Sequence, residues 1–274
     1  MSGVEAGTDM ANAFIRHVYG KHVAKSISDL IEYTPITNSS HDPFAPLYNL
    51  TTVMIAEKLE NSFTQWGILA YPGFIALDAI SVAIYAEFMT VIPGYSGNIS
   101  VIAPTLDHVK MSSVVPGGGQ SIVPTHELSN PPSKLDILIV PGLPAAGPFP
   151  HQHQFAKYIR CVYPSLKHII SVGTGSVLLA SSGILEGRRA TTSKSLFHAA
   201  TKPYRGGHDI TWTTGRWVRD GNVWTTSGTT SGLDAANALS IEMFGTRATH
   251  WATMNMEYIP STNASHDPFA HLIE

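Results

Sequence analysis

The residues of this 274-residue chain that could do chemistry fall in a few short segments. Asp78 follows the Pro72-Gly73 turn and stands at the start of an apolar run that reads as a helix from Leu77 to Met89. A carboxylate at that point can exchange protons, or it can simply cap the helix. Gly173-Thr174-Gly175 joins an apolar strand, His168 to Val172, to an apolar helix, Ser176 to Ser182. Backbone N–H groups at such a junction suit an oxyanion or a carbonyl oxygen, although two glycines also suit a tight turn. His151 and His153 stand two apart and could bind a metal in an extended segment, serve as acid or base, or lie in a solvated loop. No carboxylate or third histidine is near them in sequence, so no metal site is expected. Lys194, between two serines, is either a charged pocket residue or a surface lysine. Cys161 is the only cysteine, which rules out an internal disulfide, and a buried structural role is expected for it. Gly117-Gly118-Gly119 is not a phosphate loop, because no lysine and no helix follow it.

The elements that must position these residues alternate between strand and helix. Trp66 to Tyr71 reads as the first strand, Ile99 to Ala103 as another, and Leu135 to Val140 as a strand covered on both faces. Pro141-Gly142 stops that strand, and Gly183 ends the helix after Gly175. Ile210 to Thr213 and Asn222 to Thr226 supply later strands, with Trp217 and Trp224 either packing on the sheet or walling a pocket. The pattern predicts an α/β domain, a mostly parallel sheet with helices on both faces.

A repeat brackets this domain. His41-Asp42-Pro43-Phe44-Ala45 recurs as His266-Asp267-Pro268-Phe269-Ala270, and at the same offset Asp9 matches Asp234, Gly20 matches Gly245 and Glu32-Tyr33 matches Glu257-Tyr258. The register holds without a gap, so the match marks an internal duplication. Residues 1–50 read as the first copy, with Asp9 opening its helix and Met10, Phe14, Ile15 and Val18 on one face; 51–63 read as a linker and 64–274 as the domain. In the second copy the stretch from Ala248 to Met256 has the weaker helical periodicity.

The net charge of −3 supplies no basic field, so nucleic acid is not an expected partner. No apolar run is long enough to span a bilayer and no secretory signal is evident, so a cytoplasmic protein is expected.

Asp136-Ile-Leu-Ile-Val-Pro-Gly142, Ser171-Val-Gly-Thr-Gly-Ser176 and the Arg216 to Gly228 stretch together resemble the ThiJ/PfpI superfamily, of the flavodoxin-like, class I glutamine-amidotransferase-like fold, and most of all its isonitrile-hydratase-like branch. The resemblance covers roughly residues 64 to 245. It implies that Asp78 is the acid of the first turn and that Gly173 stands where the family carries its nucleophilic cysteine. It also implies Ser193 in place of a usual histidine and Leu143 in place of a loop glycine. A thiol mechanism is then excluded. The implied function is a cofactor-independent enzyme that uses acid–base and electrostatic catalysis on a small organic molecule: a hydratase or dehydratase, lyase, isomerase or cyclase. Asp78 would move the proton while Gly173 and Thr174 hold negative charge, with Gly142, Leu143, Gly175, His151, His153 and Lys194 around the substrate. The alternatives are a catalytically dead relative that binds a ligand or partner, and a thiol enzyme from which the nucleophile has been removed. Only one repeat copy can fill the domain's C-terminal helix position, so the other is expected to bury its apolar face in a homodimer. A lid over its own domain is the runner-up.

Overall fold

The computed structural model describes residues 3–37, 62–90, 92, 94–112, 119–143, 145, 149–204 and 208–273. In chain order the elements are α1 (Gly3–Tyr19), α2 (Lys21–Leu30), β1 (Ser62–Leu69), α3 (Ala76–Met89), β2 (Tyr95–Ala103), β3 (Val109–Lys110), β4 (Ser121–Ile122) and β5 (His126–Glu127). They continue with β6 (Ile137–Val140), α4 (Gln152–Val162), β7 (His168–Ser171), α5 (Gly175–Ser181), β8 (Arg188–Ala190), α6 (Phe197–Thr201) and β9 (Ile210–Trp212). The chain closes with β10 (Trp217–Asp220), β11 (Val223–Thr226), α7 (Thr229–Phe244) and α8 (Thr246–Asn255).

Seven strands form the main sheet in the order β10-β11-β7-β6-β1-β2-β5. All pair in parallel except β10, which returns antiparallel on β11. Its central strands are β-branched and apolar because both faces are covered: Ile68 pairs with Ile139, and Ile139 with Ile170. Helices α3, α7 and α8 pack together as one layer, and α4 packs with α5. The predicted α/β class is what the chain adopts. Among the described residues no helix is long and apolar enough to cross a membrane.

Several local expectations are corrected. Cys161 is exposed, because it falls on the outer face of α4 and not under the sheet. Asp9 lies inside α1, where its carboxylate accepts from the Tyr33 hydroxyl at 2.6 Å and the Ile36 N–H at 2.7 Å. The Ala248–Met256 stretch is helical despite its weak periodicity, since Ala248 and Ala252 are buried and tertiary packing outweighs local pattern. The 51–63 linker falls almost wholly outside the described residues, as do the His41–Ala45 motif and Gly117-Gly118.

The two repeat copies fold alike. Gly20 and Gly245 both break a helix pair in the left-handed region, at φ of 89° and 84°, and Glu32 and Glu257 end the pairs at 53° and 51°. In the second copy Tyr258 donates to Asp234, which also accepts the Ser261 N–H at 2.7 Å, as Tyr33 and Ile36 do with Asp9. Surroundings differ. Leu239 and Phe244 are buried on the domain, whereas their counterparts Phe14 and Tyr19 are 63% and 65% exposed. The second copy therefore fills the C-terminal helix position.

The bare face of α1 and α2 supports the homodimer as a proposal. Burying each large apolar side chain would contribute about 1.5–3 kcal/mol. Light scattering of the full chain should then give an oligomeric mass, and Phe14→Asp should reduce it to the monomer. Leu106→Asp, at an exposed site elsewhere, should leave it unchanged. A full-length chain that is monomeric at micromolar concentration would remove the dimer.

Candidate functional site

Four neighbouring strands, β11, β7, β6 and β1, send their carboxyl-end loops to one place, where doubly wound sheets bind ligands. Asp78, in the first turn of α3, is buried at the centre of it. Its Oδ2 accepts the Gly142 N–H at 3.0 Å and its Oδ1 accepts the Thr229 hydroxyl at 2.6 Å. Gly142 has to be glycine, because a β-carbon there would stand 2.7 Å from Oδ2. Burial raises the Asp78 carboxyl to about 6, with the Thr229 and Gly142 bonds pulling the other way.

Gly173 turns at φ 55°, the conformation a side chain needs to point out of a strand-to-helix junction. A β-carbon added there would meet the Ser227 carbonyl at 3.4 Å and Asp78 Oδ2 at 3.6 Å. Thr174 fastens the neighbouring loop: its Oγ1 accepts the Leu143 N–H and donates to the Leu143 carbonyl, each at 2.7 Å. Of the three N–H donors anticipated, that of Gly175 is already bonded to Val172 O at 3.0 Å. Gly175 itself serves packing, since a β-carbon there would lie 2.2 Å from the Val140 carbonyl.

The other anticipated residues stand apart. His151 and His153 are exposed at the start of α4, and among the described residues no group of three potential metal ligands forms. Lys194 is fully buried, paired with Asp267 at 3.1 Å and donating to the Gly215 carbonyl at 2.9 Å. Burial lowers its pKa, chiefly opposed by Asp267 and Glu32. It belongs to a network in which Arg216 Nε meets Asp234 at 2.6 Å, and which clamps the second copy's tail to the domain. Trp217 and Trp224 pack in the core, with Arg219 over Trp224.

Beside Asp78 lies a cavity of about 330 Å³. Leu77, Ile80, Leu233, Met256 and Phe269 give it apolar walls, and Thr229 forms part of its lining. Gly173 and Asp78 do not line it, so Thr229 is the link between the cavity and the buried carboxyl. Sequence reasoning missed Thr229, and it missed Glu32, which also lines the cavity. The only signals were the recurrence of Glu32 at Glu257 and the position of Thr229 just before the Gly232-Leu233-Asp234 helix start.

The description DJ-1/PfpI family belongs to a family model that matches residues 85–242. Isonitrile hydratase of Pseudomonas putida is 33% identical over 178 residues, covering 61% of this chain and 73% of that protein. Among solved structures, a ThiJ/PfpI family protein from Pseudomonas syringae aligns with a TM-score of 0.58 at 24% identity, over 83% of each chain. Drosophila melanogaster DJ-1beta aligns at 0.55 and 17% identity, over 72% of this chain and 100% of its own.

A buried carboxyl whose pKa is raised by folding binds a proton more tightly in the folded chain than in the unfolded one. Stability therefore falls as pH rises from its unfolded value toward about 6. Asp78→Asn removes that dependence. Its stability relative to the parent should grow between about pH 4 and pH 7 by on the order of 2–3 kcal/mol, measured by urea unfolding. A constant difference across that range would show that Asp78 is not held in an ion-unfavourable site.

Proposed function

The chain belongs to the DJ-1/PfpI family, and from that premise we propose that it is an enzyme that moves protons on a small, largely apolar molecule without a thiol nucleophile. The observation that carries this reading is the Asp78–Thr229 pair: a buried carboxyl raised to about 6, coupled by a 2.6 Å hydrogen bond to a hydroxyl in the cavity wall. With Asp78 ionised, Thr229 takes a proton from the substrate at its oxygen as its own hydroxyl proton passes to Asp78. In the reverse sense the protonated pair returns a proton to another atom of the substrate, and the net change is isomerisation, elimination or ring closure. The Gly173 and Thr174 N–H groups, expected as donors for charge on oxygen, lie outside the cavity lining, so the Thr229–Asp78 pair carries the chemistry of this reading.

Hydration fits the same groups. The Pseudomonas putida relative is by its name an isonitrile hydratase. With no side chain at position 173, water would be the attacking group here, and the carboxyl would deliver the proton. The reading calls for no metal or cofactor. A ligand-binding role without turnover is the second reading, favoured by the exposed placement of His151 and His153 and the locked Lys194.

Conversion of candidate substrates beside Asp78→Asn separates the two. An enzyme loses kcat on the order of 100-fold or more in the variant, and its kcat/KM in the parent rises with pH through about 6 as Asp78 ionises. Ligand affinity that survives in Asp78→Asn, with no turnover by either chain, would establish the binder instead. N-ethylmaleimide should label the exposed Cys161 and leave turnover unchanged; loss of activity that Cys161→Ser prevents would restore a thiol mechanism.

A further inference from the structure

Glu32 projects from the first repeat copy onto the start of α7. Its Oε1 accepts the Lys194 N–H at 3.1 Å, its Oε2 accepts from the Ser227 hydroxyl, and its own carbonyl accepts from Thr230. The seat is shaped for it, since a β-carbon on Gly228 would stand 2.6 Å from Glu32 Cδ. Gly228 has φ −126°, an extended value that any residue adopts, so its bareness serves the glutamate and not the turn. The contact therefore has two halves, a projecting glutamate and a Ser-Gly seat.

Each repeat copy carries both halves in its sequence. Ser227-Gly228 recurs at the repeat's offset as Ser2-Gly3, and Glu32 recurs as Glu257. Glu257 keeps the left-handed backbone, at φ 51° against 53° for Glu32. The next residue, Tyr258, donates to Asp234 as Tyr33 donates to Asp9. An element with its own projection and its own seat is self-complementary, which is the requirement of a two-fold interface.

The cavity shows the same relation. Thr8, Ile31, Tyr33 and Thr34 line it from the first copy, and their counterparts Leu233, Met256, Tyr258 and Ile259 line it from the second. Equivalent residues of two like elements meet at one cavity when an approximate two-fold axis passes through it. The first copy also covers this surface incompletely. Leu77, Ile80 and Ile259 stay 50%, 48% and 55% exposed in the cavity wall.

We propose that the Ser227-Gly228 seat, with α3 and the segment after α8, is a self-association surface for a second copy of this chain. The first repeat copy occupies it in cis, in place of another chain's α7–α8 segment. When the first copy leaves, two chains join through their second copies, Glu257 of each entering the seat of the other. The bare face of α1 and α2 takes no part in that contact. The cis arrangement sets Thr8 and Thr34 where a second chain would bring leucine and isoleucine, so it also keeps that side of the cavity more polar.

The full chain tests this. The hydrophobic core of the domain holds no described residue before Trp66, so releasing the first copy leaves that core in place. Phe14→Asp removes the bare face from the comparison, and Glu32→Arg added to it empties the seat. Sedimentation velocity at micromolar concentration should show the double variant at twice the mass of Phe14→Asp alone. Adding Gly228→Val, whose side chain fills the seat against either glutamate, should return the mass to that of Phe14→Asp. Trypsin follows the first copy itself: cleavage after Lys21 and Lys25 should run at least about tenfold faster in both Glu32→Arg chains.

A double variant that releases its first copy and keeps the mass of Phe14→Asp would overturn the proposal. Association that survives Gly228→Val would come from exposed apolar surface and not from the seat, and would end it equally. So would a first copy as protected in Glu32→Arg as in the parent, because the seat would then not be what holds it. Tyr33→Phe loosens Glu32 without altering the domain, and gives a second route should Glu32→Arg prove insoluble. In the Phe14→Asp chain it should produce the same doubling at higher concentration, and unchanged mass there would count against the surface in the same way.

Discussion

A carboxyl removed from water has to be surrounded by donors, and at the elbow that requirement organises the loops. Asp78 receives one hydrogen bond from the loop after β6 and one from the start of α7, while a β-carbon on Gly173, in the turn after β7, would stand in contact with its Oδ2 at 3.6 Å. Each approach forces a residue type. Gly142 is bare because Oδ2 occupies the space its β-carbon would need, and Gly175 is bare because α5 begins against the Val140 carbonyl. The carboxyl is still under-compensated, which is why it titrates near 6. Reactivity and instability are here the same free energy, seen from two sides.

The repeat adds a second constraint of its own. An Asp–Tyr bond closes each helix pair and holds a glutamate in the left-handed region. The same lock has different consequences in the two copies because the neighbours differ. In the second copy Asp234 also meets Arg216, and the following tail reaches Lys194 through Asp267, so the pair serves to seat the chain's end. In the first copy Asp9 serves the local lock, and the glutamate it sets in place projects onto Ser227 and Lys194. A single local geometry thus clamps the tail that follows the second copy and, in the first copy, seats a buried glutamate on the start of α7.

The fold was legible because its signals are local: apolar strands ended by Pro141-Gly142, glycine at Gly183, and the Gly173-Thr174-Gly175 turn between strand and helix. Asp78 and the elbow could be placed for the same reason. Lys194 could not, since its pairing with Asp267 joins residues far apart in sequence and no periodicity records it. Cys161 was misplaced because α4 has an amphipathic pattern in which a cysteine suits either face. Thr229 and Glu32 were missed for a more general reason. A hydroxyl at a helix start and an acid at a helix end are common, and only their meeting around one cavity gives them significance.

Glu32 and the bare face of its helix pair are mechanically one object. The buried carboxyl, the left-handed backbone and the ordering of a terminal segment all cost free energy. Against this the segment's own chain offers hydrogen bonds from Ser227, Lys194 and Thr230 and little apolar burial for Phe14, Val18 or Leu30. Apolar burial is thus the contribution that the segment's own chain leaves largely unmade at α1 and α2.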